Sequence, residues 1–175
     1  MRRLLRLLVP AVLLLGCAGG GDDGAEPTAT TSATNPIGVP IAALVDGAPD
    51  ISLADYAGRP LVVNFFASWC APCVMEMPDL ERVNRAAGGD VAFLGVAVQD
   101  RVEDATALVA DTGVTWDLAR DPDGTFVRAV GGVGMPTTIL VSAEGEIVAR
   151  HTGQLTAGEL TDLLAEHFGI EVTVA

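Results

Sequence analysis

The chain has 175 residues, half of them apolar and 5% aromatic, with ten basic against 23 acidic side chains and a formal charge of −13. That length holds one ordinary domain with a short extension. An acidic chain without a single lysine excludes nucleic acid as a partner, because binding phosphate needs a basic surface.

The extension is at the front. Residues 1–16 read as a signal peptide, with Arg2, Arg3 and Arg6 as its basic start and Leu7 to Leu15 as an apolar core too short to span a bilayer as a helix. Leu14-Leu15-Gly16-Cys17 resembles a bacterial lipobox, in which Cys17 becomes the first mature residue and takes lipid. An ordinary signal peptide or an uncleaved anchor ending near Cys17 are the alternatives. Residues 17–36 then form a small, polar tether that cannot bury enough apolar surface to fold. It would hold the domain, residues 37–175, near membrane-bound partners. The expected location is extracytoplasmic, anchored to a bacterial membrane as a lipoprotein, where disulfides persist. Without the signal the chain keeps seven arginines against 23 acidic residues, a charge that serves solubility and repels anionic headgroups.

Within the domain, Ile37 to Val45 reads as a first short strand, and Ile51 to Tyr56 as a short helix or loop before Gly58. Leu61 to Ala67 is a continuous apolar run, expected for a central strand covered on both faces. Cys73 to Ala87 has helical spacing at Met77, Leu80 and Val83 and stops at Gly88-Gly89. Asp79, Glu81, Arg82 and Arg85 look like its solvated face. Val91 to Val98 is a second buried strand, and Val102 to Asp111 the crossover helix ahead of Gly113. Asp121 to Gly124 reads as a turn, Thr125 to Val130 as a short helix. Thr137 to Ser142 and Glu146 to His151 form a hairpin around Ala143-Glu144-Gly145. Thr156 caps a last helix with Leu160, Leu163, Leu164 and Phe168 on its apolar side. Trp116 reads as packing, and His151 and His167 as surface residues.

Chemistry concentrates in Trp69-Cys70-Ala71-Pro72-Cys73, where a strand ends and a helix begins. Cysteines at i and i+3 on a first helical turn lie on one side, within the short span of a disulfide. Unpaired N–H groups and the positive end of the helix favour a thiolate at Cys70, which makes it the expected nucleophile, with Cys73 resolving. Pro72 suits the first turn. Three other readings compete. A structural zinc site needs about four ligands, and Cys17, His151 and His167 stand in no ligand spacing with the pair. A structural disulfide over so short a loop stabilises little. Two inert buried cysteines have no reason to sit at a helix start beside a proline. No metal or organic cofactor is expected.

Val63 to Cys73, Glu76-Met77-Pro78, Gly131 to Thr138, and Gly153 with Leu155 together resemble the TlpA/ResA-like family of extracytoplasmic thiol-disulfide oxidoreductases, over about Ile37 to Gly169. The resemblance implies an α/β thioredoxin-like fold, a central mixed sheet flanked by helices. It implies a cis peptide bond before Pro136, with Met135, Pro136 and Thr137 facing the cysteines where a substrate strand could pair, and Trp69 flanking the thiols or packing in the core. Thioredoxins place a buried aspartate where this chain has Asn64, which cannot accept a proton. Glu76 would take over as proton acceptor for Cys73, unless it is a solvated first-turn acid held by the helix dipole. Expected partners are protein thiols or disulfides and a membrane electron-transfer protein. The expected direction is reduction, as of apocytochrome c cysteines in several family members. An oxidase that installs disulfides in exported proteins is the alternative. A thiolate copper-binding module using Cys70, Cys73 and Met135 and a peroxide-reducing enzyme are weaker ones.

Overall fold

The computed structural model describes residues 36–174. The signal, Cys17 and the tether up to residue 35 lie outside the described residues. Five strands, β1 (Leu61–Phe66), β2 (Ala92–Val98), β3 (Asp117–Asp121), β4 (Thr137–Val141) and β5 (Ile147–Thr152), form one mixed sheet in the order β3-β2-β1-β4-β5. β1 and β3 run parallel to β2, and β4 runs antiparallel to β1 and β5. Four helices join them: α1 (Ala71–Ala87), α2 (Val102–Thr112), α3 (Thr125–Ala129) and α4 (Ala157–Phe168).

Every residue of β1 and β2 is buried, as expected of parallel strands covered on both faces. Side chains alternate along a strand, so β1 divides itself between two cores. Val62 and Phe66 join Met77, Leu80 and Val83 of α1, Ala105 and Leu108 of α2 and Leu160 and Leu164 of α4. Leu61, Val63 and Phe65 face the other way, toward Phe126, Val127, Ile41, Leu53 and Tyr56. Burying each large aliphatic or aromatic side chain stabilises the fold by about 1.5–3 kcal/mol. Trp116 packs on Phe93 with ring centroids 5.8 Å apart. Gly95 lies tightly against them: a Cβ there would meet Leu118 at 3.0 Å and Phe66 at 3.1 Å, so these side chains would have to give way.

Local signals set the helix ends. Gly88, Gly113 and Gly169 close α1, α2 and α4 in the left-handed conformation. Thr156 and Glu159 form a reciprocal capping box at the start of α4. One expectation needs correction, and one element goes beyond what was expected. Residues 37–45 form no strand: a 3-10 turn at Pro36–Gly38 is followed by isolated bridges from Ile41 to Ile51 and from Ala43 to Ala119. Pro36 and Pro40 withhold backbone donors, so a continuous ladder cannot form there. Asp121 opens the expected turn, its carbonyl accepting from the Gly124 N–H at 3.2 Å, but Asp117–Asp121 leading into it is a strand that the sequence did not signal. Its charged composition suits an edge, and pairing with β2 rather than its own pattern makes it a strand.

Candidate active site

The loop after β1 delivers Cys70 to the N-cap of α1, with φ −95° and ψ 96°. Pro72 stands in the first turn, where its missing N–H costs no intrahelical bond. Cys70 and Cys73 are joined by a disulfide with their Cα atoms 5.3 Å apart. The Cys73 N–H also donates to Cys70 Sγ at 3.3 Å. Cys70 is 5% exposed and Cys73 fully buried, so only the first sulfur is within reach of a second protein. The helix terminus gives Cys70 unpaired donors and a favourable field for negative charge.

Trp69 is not a core aromatic. It is 59% exposed beside Cys70, and its indole N–H donates to the Gln99 carbonyl at 3.1 Å. The carboxyl end of β1 and the amino end of β4 are neighbours, with Phe65 opposite Thr137. Pro136 therefore lies at the same end of the sheet as the loop leading to Cys70. The Met135–Pro136 bond is cis. Met135 packs against the core cluster that contains both cysteines. Thr137 is buried, its hydroxyl donating to the Gly134 carbonyl at 2.7 Å, so its side chain braces the loop around Pro136.

Glu76 is completely buried one turn after Cys73, not a solvated first-turn acid. Asn64 Nδ2 donates to its Oε1 at 2.7 Å, and the Leu155 N–H to its Oε2 at 2.8 Å. Burial raises its pKa and these two neutral donors only partly offset the rise, leaving it at about 7. Asn64 Nδ2 also donates to Thr138 Oγ1 at 3.1 Å, while Asn64 Oδ1 is buried without a partner. A buried carboxyl that titrates near neutrality can hold or release a proton at little cost.

Glu81 departs from expectation. It is 4% exposed rather than part of a solvated face, and it accepts from Arg85, Asn84 and both the N–H and hydroxyl of Thr115. Spacing already pointed there, since Glu81 lies one turn beyond Met77 on the buried side of α1. Ser68, Gln99 and Asp100, which meet beside the disulfide, were not singled out in the sequence. The only local signal is their position, just past the ends of two buried strands, where open α/β sheets carry their sites.

Comparison with known proteins agrees with this geometry. The Redoxin family model matches residues 31–165. The chain is 32% identical over 165 residues to the thiol:disulfide interchange protein HelX of Rhodobacter capsulatus, covering 89% of this chain and 90% of that one. It is 29% identical over 170 residues to the thiol:disulfide interchange protein DsbE of Vibrio cholerae, covering 91% of each. Among solved structures, a DsbF homologue from Corynebacterium diphtheriae superimposes with a TM-score of 0.66 at 30% identity, over 73% of this chain and 83% of that one. With its thioredoxin-like sheet and a disulfide at the start of α1, the chain belongs to the Redoxin family and is a thiol-disulfide oxidoreductase.

Proposed function

We propose that the protein is an extracytoplasmic reductant of protein disulfides, with Cys70 as nucleophile, Cys73 as resolving thiol and Glu76 as proton acceptor. In the dithiol form, Cys70 thiolate attacks one sulfur of a substrate disulfide; that S–S bond breaks, a mixed disulfide forms, and the other substrate sulfur leaves as a thiolate. Cys73 then gives its proton to the Glu76 carboxylate, and the resulting thiolate attacks Cys70 Sγ. The mixed disulfide breaks and the second substrate sulfur departs. Two electrons have passed to the substrate, and the Cys70–Cys73 disulfide remains, to be reduced by a dithiol protein of the membrane. Trp69, Met135 and the backbone at Pro136 form the face a substrate strand would meet, with the buried Thr137 side chain bracing it from behind. Apocytochrome c cysteines are one substrate class consistent with this direction.

The observation that carries the reading is the buried, near-neutral carboxyl of Glu76 one turn behind a buried Cys73. The direction rests on the lack of cationic help for Cys70. The chain contains no lysine, and Arg82, Arg85 and Arg101 are engaged by Asp79, Glu81, Glu103 and Asp104. A thiolate favoured mostly by a helix terminus belongs nearer the thioredoxin end of the pKa range than the strong-oxidant end. The reduction potential tests this. Equilibration with glutathione or dithiothreitol buffers should give about −250 mV or lower, close to thioredoxin; a value near about −120 mV would make the protein a disulfide-forming oxidase instead.

The membrane location is proposed on the sequence pattern: residues 1–16 as signal, lipid on Cys17, and residues 17–36 as tether. Fractionation of the producing bacterium should find the protein with membranes. Cys17→Ala should release it or leave its signal uncut, and unchanged fractionation and processing would reject the anchor.

A further inference from the structure

The turn that follows β2 grips the two residues ahead of Cys70, and the exchange steps above make no use of it. The Ser68 N–H donates to Asp100 Oδ2 at 2.6 Å and the Ser68 hydroxyl to Oδ1 at 2.7 Å. The Arg101 N–H donates to the same Oδ1 at 2.9 Å. One residue earlier, the Gln99 carbonyl takes the Trp69 indole N–H. Gln99 has φ 49°, a left-handed conformation that side-chain-bearing residues avoid, and its N–H is tied to the Asp121 carbonyl at 3.0 Å. The fold thus holds an unfavourable backbone angle at the point where consecutive residues reach Ser68 and Trp69. Backbone strain of this kind concentrates where a site must be held in place.

Asp100 also brings charge. Among the described residues no arginine pairs with it: Arg101 turns to Glu103 and Asp104, Arg120 to Asp46. Its half-buried carboxylate is anchored two residues ahead of the N-cap of α1, in the positive field that would otherwise serve a Cys70 thiolate alone. The only other acid that α1 brings to its first turn and a half is Glu76, on the buried side. We infer that Asp100 is a positioning residue that holds Ser68 and Trp69 in register with Cys70 and, through its unpaired charge, keeps the Cys70–Cys73 couple reducing. A negative charge near the thiolate raises the energy of the dithiol form relative to the disulfide, so electrons are given up more readily. The inference rests on the reading of the couple as a reductant that attacks through Cys70.

Asp100→Asn tests it. The new amide keeps an acceptor for the Ser68 N–H and can donate to the Ser68 hydroxyl; only the exposed Arg101 N–H loses its acceptor, to water, while the charge is removed. The equilibrium constant with glutathione should shift about tenfold toward the dithiol, about 30 mV for this two-electron couple, and alkylation of Cys70 should begin at lower pH. Ser68→Ala, which removes one hydrogen bond but leaves the carboxylate, should keep the wild-type potential. Should Asp100→Asn fail to fold, Asp100→Ser carries the same expectation. An unchanged potential in the neutral variant, or an equal shift in Ser68→Ala, overturns the inference. Failure of the underlying reading shows separately: a wild-type potential at the strong-oxidant end, or faster alkylation of Cys73, refutes that reading. The difference between Asp100→Asn and wild type is measured whatever the absolute value.

Discussion

Two glutamates five residues apart on α1 are both removed from water, and their neighbours drive them in opposite directions. Burial pushes Glu76 up to about 7, because among the described residues the Leu155 N–H and the Asn64 amide are its only donors and both are neutral. Burial pushes Glu81 up as well, but Arg85, Thr115 and Asn84 together outweigh it and hold Glu81 below the usual glutamate value. A buried carboxyl with a cation and a full set of donors is a fixed charge that ties α1 to the segment before β3. One left with two neutral donors is a proton site. The same helix therefore carries a structural acid in its third turn and a reactive one in its second, distinguished by partners rather than by depth.

The largest effect removes the reaction on which the contrast depends. With Cys73→Ser, Glu76 has no thiol to deprotonate; the mixed disulfide with substrate should accumulate and turnover of an insulin substrate should fall at least about 10²-fold, because an intramolecular attack is lost. Cys70→Ser should form no mixed disulfide at all. Trapping on Cys73 in the Cys70 variant would reverse the assigned roles.

Next in size, Glu76→Gln should slow resolution of the mixed disulfide about 10²-fold at neutral pH without changing its formation. The amide it introduces meets Asn64, whose unpartnered Oδ1 can accept it after an amide flip, so the fold should survive. In the wild type, resolution should rise with pH through an inflection near 7, as Glu76 ionises, and the variant should lack that inflection. Equal stopped-flow rates would remove Glu76 from the proton path.

The same residue should mark stability. Its folded pKa, about 7, lies above the ordinary 4.5, so its favourable contribution is fully present below about pH 4.5 and is lost as pH rises to about 7. The stability of Glu76→Gln relative to wild type should therefore increase by about 2 to 3 kcal/mol between pH 5 and pH 8, at 1.36 kcal/mol per unit. Urea melts of the oxidised proteins at the two pH values measure it. Parallel pH dependence in the two proteins would mean that the buried carboxyl is not raised.

Where a signal is local, the sequence carried it. The apolar run of β1, the glycine stops of α1 and α2, the Thr156 cap of α4 and the cysteine pair each lie within a few residues of one another, and each appears in the structure where it was expected. Contacts between distant segments were not legible. β3 is charged and short and becomes a strand because β2 supplies its partners. Ser68 and Asp100 are 32 residues apart and meet only because β1 and β2 end side by side. Glu81 was misread for a different reason: its charge outweighed its spacing, although that spacing puts it on the buried side.

Glu81→Gln carries the smallest expected effect and is the control that sharpens the comparison. It removes the ion pair to Arg85 at 2.6 Å while keeping an acceptor for the Thr115 N–H. Arg85 is 65% exposed, so water replaces part of the lost attraction; the loss should be about 1–2 kcal/mol at pH 7, between the values for exposed and fully buried pairs. Because the folded pKa of Glu81 is lowered, its contribution is present above the unfolded value near 4.5 and is lost as pH falls through the folded one. The deficit of Glu81→Gln relative to wild type should therefore shrink in acid and widen as pH rises, opposite in sign to Glu76→Gln, whose stability relative to wild type increases with pH. Resolution of the mixed disulfide should keep its wild-type rate and its inflection near pH 7. A slowed rate in a folded Glu81→Gln protein would mean that the two glutamates act on the thiols together, and the division between structural and reactive acid on α1 would fail.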